Sequence, residues 1–309
     1  MKIGPKKQKQ GFPLRNPFSR EGSQRKSRRL KHIAFLPSFI TLMNGACGLI
    51  AIIFASNGNF ALAAYLVFIA MIADVLDGRV ARLTRTTSSF GGQLDSLSDA
   101  ISFGTAPAFI MFKLVELHWE YTGYQALSLY VPLRRAMVVA AVFYAMCALV
   151  RLARFNVENE EDESAHMNFS GLPSPAAAGV VVSLVIFHQQ ILYKIVGEVL
   201  RSFHVLTVIA FPLITIFSGM LMVSRIRYPH APNQLLRSKK SPAFLLALLP
   251  AVLLMLWNIQ FALVVGFCGF GFFGVIRWVI VSLFKRSPNA PPKTPAPETS
   301  PEQKDGEGL

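Results

Sequence analysis

With 309 residues, 52% of them hydrophobic and 16% charged, the chain gathers its apolar residues into blocks too long for a water-soluble core. The net charge of +14 would suit nucleic acid, but much of the basic charge lies in an N-terminal tail and in short loops beside apolar spans, with no basic fold interleaved with aromatics. Composition therefore excludes a soluble enzyme and a nucleic-acid binder, and indicates an all-α, polytopic membrane bundle whose basic segments meet anionic membrane lipids.

Residues 1–32 carry eleven Lys or Arg together with Pro5, Pro13 and Pro17, and little apolar surface. They are expected to form a disordered basic arm. The arm is long for the n-region of a signal peptide and the next span is too long for its h-region, so the segment is read as uncleaved. A first span at 33–55 contains Pro37, Thr41, Asn44 and Gly48. Asn44 has two open readings: a polar group reaching the nucleotide or metal layer, or a hydrogen bond between helices.

A second span at 60–76 delivers Asp74 and Asp77 to its far end. On a helix these are i and i+3, and share a face with Gly78 and Ala81. Asp95 and Asp99 are i and i+4 on the next helix, and Ser88, Ser89, Gly91 and Gly92 between them suit a turn. Folding the segment back brings four carboxylates together. Such a cluster at a bilayer edge is costly, a single Asp at the centre of a membrane helix costing about 2.5–3.5 kcal/mol and less toward the interface. Cations would hold it together, and an all-oxygen set suits Mg²⁺ or Mn²⁺. Gly78, Ala81 and Gly91 leave room for a ligand, and Arg82 and Arg85 supply charge for phosphate.

The third span is expected at 95–117, kinked at Pro107, whose freed carbonyl a neighbouring helix can satisfy. His118, Trp119, Tyr121 and Tyr124 in 118–133 read as interfacial anchors. A fourth span, 137–152, ends in Arg151 and Arg154, i and i+3 on one face. Cytoplasmic anchoring and an anion site both explain the pair. An acidic loop at 158–163 is read as solvated, and Pro173 and Pro175 stop one element and start the next. Fifth and sixth spans follow at 176–192 and 206–223, then a basic loop with Arg225, Arg227, Arg237, Lys239 and Lys240. Spans at 242–257 and 260–283 form a hairpin around Asn258, with Gly266, Gly269, Gly271 and Gly274 serving helix packing, and a disordered tail closes the chain. Cys47, Cys147 and Cys268 lie in apolar spans and imply no disulfide framework.

These about eight spans put both termini on one side. That side holds the arm, Arg79, Arg82, Arg85, Arg151, Arg154 and the basic loop; the other holds Lys113, Arg134, Arg135, Lys194 and Arg201. The positive-inside bias places the Asp cluster at the cytoplasmic face.

The spacing D-x2-D-G-x2-A-R-x8-G-x3-D-x3-D, filled by Asp74, Asp77, Gly78, Ala81, Arg82, Gly91, Asp95 and Asp99, resembles the signature of the CDP-alcohol phosphatidyltransferase family. Arg-Leu-Ala-Arg-Phe-Asn, Gly-Leu-Pro-Ser-Pro-Ala-Ala-Ala-Gly and Gly-Gln-Leu-Asp-Ser-Leu-Ser-Asp-Ala resemble its phosphatidylserine synthase branch. Leu-Pro-Ser-Phe-Ile-Thr-Leu-Met-Asn resembles the family's first-helix pattern, departing from it at Ser38. The resemblance implies transfer from CDP-diacylglycerol to L-serine with release of CMP. It implies Asp74, Asp77, Asp95 and Asp99 as metal ligands, Asp99 also as the general base, and Gly78, Ala81, Arg82, Gly91, Arg151, Arg154 and Asn44 around the substrates. It implies a homodimer, in a bacterial inner (cytoplasmic) membrane. The expected division is an arm at 1–32, a six-helix core at 33–225, a basic loop and helical hairpin at 226–286, and a tail at 287–309. Another acceptor (glycerol phosphate, inositol phosphate or choline), a cation transporter, and a non-catalytic scaffold binding the CDP-lipid are the alternatives.

Overall fold

The structure, a computed structural model, describes residues 18–84, 88–122, 130–161, 171–192, 201–226, 228 and 258–284. They form helices throughout, with no strand among the described residues. In chain order these are α1 (Phe18–Ser56), α2 (Phe60–Thr84), α3 (Ser89–Asp99), a π-helical segment Ala100–Thr105, α4 (Ala106–Thr122) and α5 (Tyr130–Glu161). Then follow α6 (Ser174–Phe187), a second π-helical turn His188–Leu192, α7 (Arg201–Val223) and α8 (Ile259–Phe284). Seven stretches among the described residues are long and apolar enough to cross a membrane, α3, the first π segment and most of α4 forming one of them. Large apolar side chains such as Phe39, Ile53, Ile72, Val139, Leu213 and Phe273 are exposed around the bundle, as lipid-facing surfaces require. The molecule is a polytopic helical membrane protein. The expected span at 242–257 lies outside the described residues.

The first two helices form a hairpin whose turn is dictated locally. Gly58 has φ of 78°, Asn59 N–H donates to Phe54 O at 2.9 Å, and Gly58 N–H to Ala55 O at 3.1 Å. This closes α1 with a Schellman motif, in which a left-handed glycine satisfies the last carbonyls. Buried Ala51, Ala55, Ala63, Ala64 and Ala70 let α1 and α2 pack closely.

The π segment follows from Pro107. Proline lacks the N–H that would take the Phe103 carbonyl four residues back. Tyr144 on α5 donates its hydroxyl to that oxygen at 3.0 Å, so the expected help from a neighbouring helix is present. The widened backbone begins at the residue after Asp99.

Three expectations change. Helix α1 starts at Phe18, so the basic stretch from there to residue 32, expected as a disordered arm, is helical and continuous with the first span. Its Arg, Lys and Gln residues are good helix formers, and no proline intervenes between Pro17 and Pro37. Helix α5 runs on through Glu161, taking in much of the expected acidic loop. His118 and Trp119 are buried inside the bundle rather than anchored at an interface, because α4 continues past them; the His118 ring packs edge-on against His188 at 4.6 Å. In α8, a Cβ on Gly274 would collide with the Tyr228 ring and one on Gly271 would lie 3.8 Å from Val180 Cγ2, so this end of the expected glycine series serves packing among the described residues. Tyr228 also donates to Gly271 O at 3.2 Å, and burial pushes its phenol up to about 12, keeping it a donor. Asn258 caps α8, its side-chain oxygen accepting from the N–H groups of Gln260 and Phe261, both at 3.1 Å.

Candidate active site

Helices α2 and α3 bring Asp74, Asp95 and Asp99 together, with one oxygen from each lying within 4.8 Å of the others. Asp77, one turn beyond Asp74, is 4% exposed and acts electrostatically on all three. The return of the chain is fixed by Ser88, whose hydroxyl accepts the Gly91 N–H at 3.0 Å and caps α3. The fold-back expected from the sequence is therefore present. Gly91 lies in the first turn of α3, one turn before Asp95.

Helix α1 supplies the third wall. Asn44, fully buried, donates Nδ2–H to Asp99 Oδ1 at 2.9 Å. Its own backbone oxygen accepts from Ser102 Oγ at 2.8 Å, one turn after Asp99. Close approach makes this possible: a Cβ on Gly48 would lie 2.6 Å from Ser102 Oγ and 2.7 Å from its Cα. Thr41, one turn before Asn44, lies beside Asp77. The hydrogen bond between helices expected of Asn44 is present, and it ends on a cluster carboxylate.

Helix α5 supplies the cation. Arg151 donates Nη1–H to Ser174 Oγ at 2.8 Å and acts electrostatically on Asp99 and Asp74. Arg154, one turn further along α5, is exposed. Ser96 Oγ donates to Asn156 Oδ1 at 2.9 Å and ties α3 to α5. Arg82 is exposed, its guanidinium 3.8 Å from where a Gly78 Cβ would stand, so it lies back over Gly78. Ala81 is half-buried on the same stretch. Arg85 lies outside the described residues.

Four carboxylates and one nearby guanidinium leave the site strongly anionic. Asp77 Oδ2, Asp95 Oδ1 and Asn44 Oδ1 are buried with no hydrogen-bond partner. Orphaned buried oxygens carry a desolvation cost that a cation relieves. The donor set is all oxygen, as Mg²⁺ or Mn²⁺ prefers, so the residues present fit a divalent metal. Sequence reasoning missed Thr41, Gly48, Ser102, Asn156 and Ser174 as parts of the site. Ser102, three residues after Asp99, and Thr41 and Gly48, one turn either side of Asn44, had a signal in helical spacing; Asn156 and Ser174 become neighbours only through tertiary packing.

A family model described as CDP-alcohol phosphatidyltransferase matches residues 34–216. A CDP-diacylglycerol–serine O-phosphatidyltransferase of Helicobacter pylori is 35% identical over 245 residues, covering 79% of this chain and 91% of the relative. The protein of the same name from Methanocaldococcus jannaschii is 30% identical over 206 residues, covering 67% of this chain and 79% of the relative. That of Bacillus subtilis is 29% identical over 196 residues, covering 63% and 90%.

Proposed function

The chain belongs to the CDP-alcohol phosphatidyltransferase family, and on that footing we propose that it transfers the phosphatidyl group of CDP-diacylglycerol to L-serine, giving phosphatidylserine and CMP. The convergence of Asp74, Asp95 and Asp99 beside buried Asp77 carries the chemistry. Serine as acceptor is supported by relatives of that name, the Helicobacter pylori protein matching over 91% of its length.

Asp74, Asp77, Asp95 and Asp99 would hold the divalent cation. Bound Mg²⁺ or Mn²⁺ supplies positive charge for the pyrophosphate and for departing CMP. Asp99 accepts the proton of the serine hydroxyl as that oxygen bonds to the lipid-side phosphorus and the phosphorus–oxygen bond to CMP breaks. Asn44, bonded to Asp99 Oδ1, fixes the carboxylate so that its other oxygen meets the hydroxyl. Gly78 and Ala81 leave room for the cytidine, and Arg82 meets phosphate. Gly91 keeps the cap of α3 slim beside the nucleotide. Arg151, with Arg154 nearer the surface, receives the lipid phosphate or the serine carboxylate.

The site faces the cytoplasm of a bacterial inner membrane in this reading, where CDP-lipid and free serine meet. Support comes from the charge bias between the two sides of the bundle. Purified protein given CDP-diacylglycerol and, separately, serine, glycerol phosphate, inositol phosphate and choline tests the acceptor. CMP release is expected with serine; release with another alcohol and none with serine contradicts the reading.

A further inference from the structure

We propose that Ser174 is a positioning residue for Arg151, and that the strap from Gly171 to Ser174 holds this guanidinium ready for a substrate oxyanion. The inference rests on the proposed transfer reaction and deepens it. Arg151 is held within the bundle, yet among the described residues it forms no ion pair, although Asp99 and Asp74 are near enough to act on it. Its hydrogen bond to a side chain goes to Ser174 Oγ at 2.8 Å. A guanidinium has five N–H donors, so one held by serine leaves the others for an anion. The same bond holds the cation back from the carboxylates that are to take metal and proton. An arginine collapsed onto Asp99 would compete for both.

Ser174 can hold its place because the strap is itself clamped. Gly171 N–H donates to Ile226 O at 2.8 Å and Leu172 N–H to Leu221 O at 2.9 Å, pinning the strap to the end of α7. Gly171 has φ of 95°, and a Cβ there would lie 2.2 Å from Met222 O, so no other residue fits. Pro173 and Pro175 stiffen the entry to α6 on either side of Ser174, which is 1% exposed. The Gly-Leu-Pro-Ser-Pro run thus gains a specific duty: it is a rigid bracket between α7 and the guanidinium.

The oxyanion is a phosphate oxygen of CDP-diacylglycerol or the carboxylate of serine, and kinetics separates the two. Ser174→Ala is expected to raise the KM for the substrate that Arg151 meets by about tenfold, the loss of one charge-assisted hydrogen bond, with kcat changed less. A rise confined to serine identifies its carboxylate; a rise confined to CDP-diacylglycerol identifies its phosphate. Ser174→Thr, which keeps the hydroxyl, is expected to recover most of the loss. In an Arg151→Lys background, Ser174→Ala is expected to add little, since residues acting as one unit are not additive. Unchanged KM values in Ser174→Ala, or equal losses with and without Arg151, overturn the proposal. Wild-type CMP release that does not depend on serine would instead overturn the acceptor assignment, with the Ser174 comparison still read on the KM for CDP-diacylglycerol.

Discussion

Asp74 and Asp99 share charged neighbours: both carboxylates have Asp77 and Asp95 beside them and Arg151 as the opposing charge. Asp99 has in addition the amide of Asn44, which its Oδ1 accepts. Asp74→Asn removes charge that positions the pyrophosphate, and is expected to weaken both Mn²⁺ and CDP-diacylglycerol binding. Asp99→Asn keeps the size of the side chain but removes the base. It is expected to cut serine-dependent CMP release by about 10²–10⁴-fold while CDP-lipid binding largely survives. Titrating CDP-diacylglycerol onto both purified variants in Mn²⁺ checks this; equal loss of binding would make Asp99 chiefly a ligand. At this scale much of the site was legible, because i,i+3 and i,i+4 spacing alone places each Asp pair on one face. The Asn44 and Ser174 contacts were not legible, since each joins residues 55 and 23 positions apart through packing.

The π segment Ala100–Thr105 links the chemistry to the bundle. It begins where Asp99 ends, and its Phe103 carbonyl depends on Tyr144 after Pro107 removes the usual donor. Tyr144→Phe leaves that buried oxygen unpaired. Hydrogen bonds inside membrane proteins average about 0.6 kcal/mol, with a maximum near 1.7. A loss of about 1 kcal/mol and a lower thermal midpoint in detergent are therefore expected, together with reduced turnover as Asp99 loses its support. An unchanged midpoint would mean that another group satisfies Phe103. The sequence announced this proline and its need for a partner, but not which helix answers. It also announced most spans, because apolar blocks bounded by Pro, Gly and charge leave few alternatives. Helix ends fared worse: the polar residues of α1 before Leu36 and of α5 after Val157 carry no apolar period, so their continuation rests on backbone propensity alone.

For the whole molecule, seven described spans and a shared end for the Asp cluster, Arg82, Arg151 and Arg154 make sidedness the property that matters. A cysteine placed at Thr86 is expected to react with an impermeant reagent from the cytoplasmic side, and one placed at Gly123 from the opposite side. The reverse pattern would invert the topology and part the site from its nucleotide substrate. The central claim joins metal, CDP-lipid and serine in one transfer. Its most direct measurement follows labelled L-serine into lipid alongside CMP, with purified protein in Mg²⁺ or Mn²⁺ and again after exhaustive chelation. The account predicts labelled phosphatidylserine and CMP in equal amounts, both abolished by chelation and restored by either cation. CMP without labelled lipid, or transfer undiminished by chelation, would contradict it.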